Sequence, residues 1–281
     1  MEEKYSAAEN EEAVELPWLI FTLNKNAYAV NSKYVSGINM RAENVTPLPD
    51  APDIYRGLVQ VREEVCPLLD MRKLFHFLSL DEETAMFREM MEKRKQDHIK
   101  WMDTLEQCAR TGEKFTLTTD PHKCAFGMWY DKFISDNHSA GFHIKKAEEP
   151  HRLLHESAPL ILKAVEQGDT QTAERLLKKA REEYVPKILS VIDDSENAYR
   201  GTFRENVVFL SDGEQMLGLL VDEVLAVDKI EPVNGSTNMN LLLQSRFFEG
   251  TARNDKIGLE ILIVDEEELL KLSNVEGVPL R

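Results

Sequence analysis

The sequence predicts a mixed α+β protein in which a β-rich domain is interrupted by a helical domain. Short apolar runs of strand length occur in residues 14–78 and again in residues 204–281, whereas the apolar residues of 79–203 recur at helical spacing. A domain tolerates such an insertion where the two flanking ends lie close together. Residues 1–13 are acidic and polar with little to bury, so we expect a disordered tail there.

The overall composition limits the classes of function. The chain has 281 residues, of which 42% are hydrophobic, enough for a sizeable buried core. Its 34 basic and 50 acidic residues give a formal net charge of -16, which disfavours nucleic acid and anionic membrane surfaces as partners. Neither a membrane-spanning apolar run nor a secretory signal pattern occurs in the sequence, so we expect a cytoplasmic location.

Both β-rich segments contain strand-length apolar runs separated by turn signals. The first two runs flank Asn24-Lys25-Asn26, a connection typical of a β-hairpin. The predicted strands of the first segment are 16–23, 27–30, 35–40, 57–61 and 65–69. Those of the second are 207–210, 215–221, 224–227 and 261–264, with a loop at 234–240 and a final helix at 266–272.

Capping signals divide the helical segment. Ser79 with Glu82 forms a capping box that begins a first helix, and Gly112 offers its C-cap. A third helix is predicted from about 150 to 168. A fourth should run from about 170 to 199 with a kink at Pro186.

The second helix is predicted from the pair Asp120-Pro121, an N-cap followed by proline at the first helical position. This start places Cys124 in the first turn of the helix. There the positive end of the helix dipole favours a thiolate, the form of cysteine that binds metal.

Three histidines and one cysteine, distributed over three predicted helices, form a candidate metal site. His151 and His155 are four residues apart on one helical face, but such pairs are common on solvated faces and are weak evidence alone. His98 and Cys124 lie on two further helices, each near a tryptophan able to shield the site. Together the four side chains match the ligands of a closed zinc site, and we predict bound zinc.

The predicted ligand set disfavours hydrolysis and favours thiol chemistry. Four protein ligands leave no open position for substrate, and Glu156 is expected on a different face from His151 and His155. A zinc-bound thiolate stays partly nucleophilic, so oxidation of Cys124 would remove the one anionic ligand and let the helices rearrange. Three interpretations remain: a sensor, a hydrolase with three protein ligands and a water, and a purely structural zinc.

Segments of the β-rich chain resemble the CheW-like domain of bacterial chemotaxis. The similar stretches are, in order, Pro49-x-x-Pro52, Arg56-Gly57, Arg62, 68–75, 218–224, 248–250 and 261–265. The resemblance implies a fold of two small five-stranded β-barrels that share a core. It also implies an adaptor, not an enzyme, that couples chemoreceptor cytoplasmic tips to a CheA-like histidine kinase.

The inserted segment resembles the chemoreceptor zinc-binding (CZB) domain, a four-helix bundle. The family pattern of His-x-x-Trp, Cys-x-x-Gly-x-Trp and His-x-x-x-His is matched at 98–101, 124–129 and 151–155. The resemblance implies zinc held by the same four ligands and sensing of zinc, or of oxidants such as hypochlorous acid, through Cys124. We also expect recruitment of the protein to chemoreceptor arrays, and we consider a homodimer formed through the helical bundle.

The turn between two strands departs from the CheW-like pattern. The usual Arg-Gly turn reads Arg62-Glu63 here, and loss of a glycine changes the conformations that a turn tolerates. An effect on affinity for kinase or receptor is therefore expected. The resemblance implies a partner-binding surface at Arg62, Arg56 and Gly57.

Overall fold

The computed structural model describes residues 16–40, 44–133, 138–202, 205–233 and 245–275. The chain divides into two compact units: Met1–Ser79 with Arg204–Arg281, called here the β unit, and Leu80–Phe203, called the helical unit. The expected tail at 1–13 and the loop at 234–240 lie outside the described residues. Among the helices that are described, none combines the length and apolar character needed to cross a membrane.

The β unit is built from strands that belong to two sheets. In chain order the strands are β1 Trp18–Leu23, β2 Asn26–Asn31, β3 Val35–Asn39, β4 Tyr55–Val61, β5 Glu64–Asp70, β6 Asn206–Ser211, β7 Met216–Val221, β8 Glu223–Asp228, β9 Glu231–Pro232, β10 Phe248–Arg253 and β11 Glu260–Val264. One sheet has the order β8-β1-β2-β11-β10-β9 and the other β3-β6-β7-β5-β4. In the part of the chain that the structure describes, the expected five-plus-five division of strands is six plus five, because the two-residue strand β9 pairs with β10.

Both sheets combine chain from before and after the helical unit. Strand β11 pairs in parallel with β2, and β7 pairs in parallel with β5. Strand β6 pairs with β3 in antiparallel register. Neither sheet is complete until the chain has returned from the helical unit.

The two sheets share one apolar core. Alternate residues of β1, such as Leu19 and Phe21, face a cluster that also contains Leu217 and Leu219 of β7. The intervening Ile20 belongs to a second cluster on the other face of its sheet, and Phe209 belongs to a third within the five-stranded sheet. Burying a side chain of this size contributes roughly 1.5–3 kcal/mol. The mixed α+β fold, with two sheets around a shared core, is confirmed.

A partly buried ion pair joins parts of the β unit that are distant in sequence. Arg72 binds Asp222 through two hydrogen bonds, 2.6 Å from Nε and 2.7 Å from Nη2. The same carboxylate accepts the backbone N–H of Asn24 at 2.8 Å. Asn24 and Lys25 both have positive φ, as a two-residue hairpin turn requires. The ion pair thus anchors the predicted β1–β2 hairpin to the second half of the β unit.

In the described residues the helices are α1 Met71–Leu74, α2 Leu80–Thr111, α3 Ala125–Tyr130, α4 His138–Lys145, α5 Glu148–Glu166, α6 Thr170–Lys179, α7 Val185–Thr202 and α8 Glu266–Leu270. A π-helical segment, Ala180–Tyr184, joins α6 to α7. In the helical unit the long elements are α2, α5 and the run from α6 to α7. Their facing apolar side chains, including Met91, Leu154 and Ile188, form one buried core.

Two predictions about the helices are wrong in detail. The second predicted helix does not begin at Asp120, because residues 120–123 form a turn closed by the Lys123 N–H bonded to the Asp120 carbonyl at 3.1 Å. It is the six-residue α3, and its N-cap is Cys124. Helix α4 was not predicted, since its eight residues carry little apolar periodicity. The helical unit therefore has a second helix of only six residues and an additional helix, α4.

Candidate metal centre and partner surface

Three elements bring the predicted metal ligands together. His98 lies on α2, His151 and His155 lie one turn apart on α5, and Cys124 caps α3. The three histidines are 3%, 5% and 1% exposed, whereas Cys124 is half-buried. Among the described residues these four form a group whose donor atoms all lie within 4.8 Å of one another.

The spacing of the donor atoms suits a small tetrahedral ion. The Cys124 Sγ atom lies 3.1 Å from the His151 Nε2 atom. A regular tetrahedron with zinc bonds of about 2.1 Å to nitrogen and about 2.3 Å to sulfur separates its donors by about 3.3–3.6 Å. Small movements of the side chains therefore complete the geometry that zinc requires.

Backbone carbonyls orient two of the imidazoles. The Nδ1 atom of His98 lies 2.7 Å from the Arg94 carbonyl oxygen, and that of His155 lies 3.2 Å from the Thr118 carbonyl oxygen. Because a carbonyl oxygen only accepts, each Nδ1 must carry the proton and each Nε2 the lone pair. Both Nε2 atoms are buried without a hydrogen-bond partner. Two orphaned lone pairs in one ligand group fit a bound metal ion.

The sulfur of Cys124 is placed by the start of α3. It accepts the Gly127 N–H at 3.2 Å, so the thiol takes the capping role that the sequence assigned to Asp120. Gly127 approaches the preceding turn so closely that a Cβ there would overlap the carbonyl oxygen of Pro121. The Cys-x-x-Gly spacing thus has a steric cause: glycine lets the helix start fold back beneath the sulfur.

Without a metal, burial makes all four groups prefer their neutral forms. Burial, reinforced by the neighbouring His98, lowers the pKa of His151 to about 3 and that of His155 to about 4. Burial also lowers the pKa of His98, and it raises the pKa of Cys124 despite the opposing N–H groups of the helix start. The expected dipole effect on the thiol is therefore outweighed by desolvation. Neutral imidazoles are the form that binds zinc.

Aromatic rings enclose the group. The Trp101 ring lies 4.8 Å from that of His155, and the Phe126 ring lies 5.0 Å from that of His151 and 5.5 Å from that of His98. Trp129 packs on Phe126, not on a ligand. The sequence identified the two tryptophans but missed Phe126 and the carbonyls of Arg94 and Thr118. Backbone acceptors leave no residue-type signal, although Phe126 lies within the Cys-x-x-Gly motif.

The acidic group nearest in sequence to the histidine pair takes no part in the cluster. Glu156 is exposed and pairs with Arg152 at 2.6 Å, on a different face of α5 from His151 and His155. The ligand group of the described residues contains no carboxylate. The arrangement therefore offers four neutral or thiolate donors and no general base of the metalloprotease type.

The partner residues expected in the β unit lie on and beneath one hairpin. Arg62 is exposed in the β4–β5 turn with a φ of +56°, whereas Glu63 does not take a positive φ. The left-handed position that favours glycine is thus occupied by arginine in this turn. Gly57 is buried, and a Cβ there would meet Val45 at 2.8 Å and overlap the Thr46 carbonyl.

A groove of about 920 Å³ borders Arg62. Met40 and Val65, which line it, are 69% and 62% exposed. The remaining lining residues are Asn39, Asn44, Thr46, Leu58, Val59, Gln60 and Phe209. Arg56 is half-buried and does not line the groove. Burial raises the pKa of the neighbouring Asp70, and the charge of Arg56 opposes this shift.

Two segments of the chain match known protein families. Residues 17–91 match the CheW-like domain, and residues 98–162 match the chemoreceptor zinc-binding domain. No curated protein sequence matches the chain. Among solved structures, the chain is similar to a crystal structure of the scaffolding protein TtCheW from Thermoanaerobacter tengcongensis. The two sequences are 13% identical, 89% of each chain is covered, and the TM-score is 0.36.

The two family matches agree with the order of the elements. The CheW-like match covers strands β1–β5 and the start of α2, while strands β6–β11 lie beyond it. The zinc-binding match includes His98, Cys124, His151 and His155. The chain contains a CheW-like domain and a chemoreceptor zinc-binding domain, in that order.

Proposed function

We propose that the protein is a chemotaxis adaptor that carries a zinc-bound cysteine sensor. The observation that supports this most directly is the convergence of His98, Cys124, His151 and His155 in a segment that matches a zinc-binding family, within a chain that also matches an adaptor family. We assign residues 14–78 with 204–281 to the adaptor and 79–203 to the sensor. The division of the chain into two compact units supports this assignment.

The adaptor would couple chemoreceptor cytoplasmic tips to a CheA-like histidine kinase at arrays in the cytoplasm. The groove beside Arg62 suits a protein partner, because exposed apolar side chains such as Met40 and Val65 adjoin an exposed cation there. Arg56 would contribute at the margin of this surface. Buried Gly57 would contribute by shaping the strand. Neither the structure nor the matched families support a homodimer through the helical unit.

The sensor would use the sulfur of Cys124. Zinc held by the three Nε2 atoms and this sulfur would keep Cys124 a thiolate at neutral pH. Cys124 is half-buried while the imidazoles are buried, so a small oxidant reaches the sulfur first. With hypochlorous acid, the thiolate attacks, two electrons pass from sulfur to the oxidant, chloride leaves, and sulfur retains the hydroxyl as sulfenic acid.

Loss of the thiolate would remove the one anionic donor and release the start of α3. The cap between Cys124 and Gly127 would change at the same time, because the same sulfur accepts that N–H. A structural zinc would leave signalling unaffected by oxidant. A hydrolase would need an open coordination position, which four converging donors do not provide.

The decisive experiment reconstitutes receptor and kinase with zinc-loaded protein, oxidised protein and the Cys124→Ser variant. We expect the wild-type protein to bind about one zinc ion per chain. The Cys124→Ser variant should bind zinc at least about tenfold more weakly. Kinase activity should change on oxidation in the wild type and not in Cys124→Ser. Cys108→Ser is the matched control, since Cys108 is a buried cysteine on α2 outside the ligand group.

Unchanged kinase activity after oxidation, with zinc retained, would support the structural zinc instead. Absorption spectroscopy of a cobalt-substituted protein that reports three protein ligands and a water would favour the hydrolase. Failure of the protein to bind kinase or receptor in any form would contradict the adaptor assignment.

A further inference from the structure

One backbone carbonyl connects an aromatic side chain to a candidate zinc ligand. The Thr118 carbonyl oxygen accepts a hydrogen bond from the Trp101 indole N–H at 2.8 Å. The same oxygen accepts the Nδ1–H of His155 at 3.2 Å. Trp101 is 6% exposed, and its ring lies 4.8 Å from that of His155. A carbonyl has two lone pairs, so both bonds are satisfied together.

The position of this carbonyl depends on side chains. Thr118 belongs to the stretch 112–124, between α2 and α3, in which no helix or strand holds the backbone. Its backbone is held locally by a turn in which the Thr118 hydroxyl accepts the Asp120 N–H at 3.2 Å, and the carbonyl itself is held by the groups that bind it. Trp101 projects from the long helix α2 and packs on Phe115 of the same stretch at 5.4 Å. The long helix thereby locates the carbonyl acceptor.

We infer that Trp101 is a positioning residue for His155. Its indole N–H holds the Thr118 carbonyl where that oxygen selects the Nδ1–H form of His155 and directs Nε2 toward Cys124, His98 and His151. The inference rests on the proposed zinc site. It adds a role to a side chain that contacts no metal.

His98 provides an internal comparison. Its Nδ1–H binds the Arg94 carbonyl one turn earlier on α2, so regular helix geometry orients this ring. Its orientation is therefore independent of Trp101. Loss of the indole N–H should affect the ring of His155 and spare that of His98.

The test compares Trp101→Phe with the matched control Trp129→Phe in the full chain. Zinc affinity is measured by competition with a chromophoric chelator. Loss of a hydrogen-bond partner of a metal-bound histidine typically weakens metal binding 10–100-fold. Trp101 acts on His155 through the Thr118 carbonyl, so the loss expected for Trp101→Phe is at the lower end, about tenfold. Trp129→Phe, whose ring packs on Phe126, should stay within about threefold of the wild type.

A second readout separates positioning from packing. In cobalt-substituted protein the imidazole N–H protons are resolved by NMR through their paramagnetic shifts. Exchange of the His155 Nδ1–H with solvent should accelerate at least tenfold in Trp101→Phe, while that of His98 stays unchanged. If the variant does not fold, the wild-type protein provides the test. Zinc binding should slow the exchange of its Trp101 indole N–H with solvent.

The possible results are distinct. Wild-type zinc affinity in Trp101→Phe, equal acceleration of the His98 and His155 protons, or no effect of zinc on the Trp101 indole proton would each overturn the inference. Absence of zinc binding by the wild-type protein would instead contradict the proposed function. Selective acceleration at His155 with weakened zinc binding supports the inference.

Discussion

The sulfur of Cys124 has two structural tasks at once. It lies among three imidazoles, and it accepts the N–H of Gly127 that begins α3. A change at this atom therefore alters both the ligand group and the local backbone. Pro121 and Gly127, which touch each other across the turn, limit where the sulfur can move.

Replacing Gly127 with alanine should displace Cys124. The new Cβ would overlap the Pro121 carbonyl and lie 3.0 Å from the His122 Cα, so the turn must open. We expect a loss of about 1–3 kcal/mol in the free energy of unfolding and a tenfold or greater loss of zinc affinity. Denaturant titration and chelator competition measure the two effects.

The control for this substitution is Gly201→Ala. Gly201 lies in α7 with open space around it, so an added Cβ is neutral or stabilises by up to about 1 kcal/mol. If Gly127→Ala and Gly201→Ala have the same stability and zinc affinity, the turn at Pro121 accommodates a Cβ at position 127 and the prediction is wrong.

Glu266 makes the stability of the β unit sensitive to pH. Its side chain is buried at the N-terminus of α8 and accepts the backbone N–H of Asn31. Burial, with a smaller contribution from the charge of Glu249, raises the pKa of Glu266 to about 7. The folded protein therefore retains a proton that the unfolded chain, with a pKa near 4.3, has already lost.

Raising the pH should therefore destabilise the β unit. The contribution of Glu266 is fully present below about pH 4.3 and is lost as pH rises to about 7. We expect the β unit to lose about 1–3 kcal/mol over this range. In Glu266→Gln this part of the slope should disappear. Chemical denaturation at a series of pH values tests this, with exposed Glu267→Gln as a control that keeps the wild-type slope.

At the residue scale, spacing in the sequence was enough to name the four side chains that the fold brings together as a candidate metal site. His98, Cys124, His151 and His155 are recognisable because residue type and periodicity are both visible in the letters. The acceptor at Thr118 was not predictable, because any residue type supplies a carbonyl. The cap at Cys124 was missed because Asp120 is the better capping residue by propensity, and the thiol replaced it through the close approach at Gly127.

At the scale of elements, the run from α6 to α7 contains an irregularity with an identifiable cause. Pro186 has no N–H and its ring crowds the carbonyl four residues earlier. The helix accommodates the proline by the π-helical segment Ala180–Tyr184, in which the Val185 N–H donates to the Ala180 carbonyl five residues earlier. The sequence predicted a kink at this proline. The wider turn was not predictable, because packing decides how a helix accommodates proline.

Arg181 ties the π segment to α2. Its guanidinium binds Asp103 and also Glu106, the latter at 2.9 Å, and these contacts raise the pKa of Arg181. Arg181→Gln should lower the free energy of unfolding of the helical unit by about 1 kcal/mol, since the pairs are partly exposed. It should also speed amide exchange across the segment.

Lys178→Gln provides the comparison for Arg181→Gln. Lys178 and Glu182 are both exposed and 3.9 Å apart, so their loss should cost close to nothing. Denaturation with hydrogen exchange distinguishes the two variants. Equal amide exchange in the π segment of both would show that Arg181 does not hold it.

At the scale of the whole molecule, the chain is two compact units with separate cores. The division was predictable from periodicity, which changes from strand-like to helical near residue 79 and back near 204. The pairing of strands across the helical unit was accessible only through the resemblance, because periodicity does not say which strands are neighbours. The sixth strand, β9, is two residues long and leaves no periodic signal.

Removing zinc should destabilise one unit selectively. A ligand at 100 times its dissociation constant stabilises the folded state by about 2.7 kcal/mol. A chelator should therefore lower the thermal transition of the helical unit and leave that of the β unit in place. Calorimetry with and without chelator measures this, and His155→Ala, which lacks a ligand, should respond to neither zinc nor chelator. A common shift of both transitions would contradict independent units.

The splitting of both sheets by the helical unit has a consequence for synthesis. Strands β1–β5 leave the ribosome before β6, β7 and β11, their partners across the helical unit, have been made. Translation of the helical unit alone, at ~5–20 residues per second, leaves these strands with unpaired edges for at least roughly 6–25 s, a state prone to aggregation. A helical unit that folds promptly shortens the effective loop that the sheets must close. Metal supply during translation would then influence how much adaptor the cell obtains, quite apart from any signal the finished protein reports.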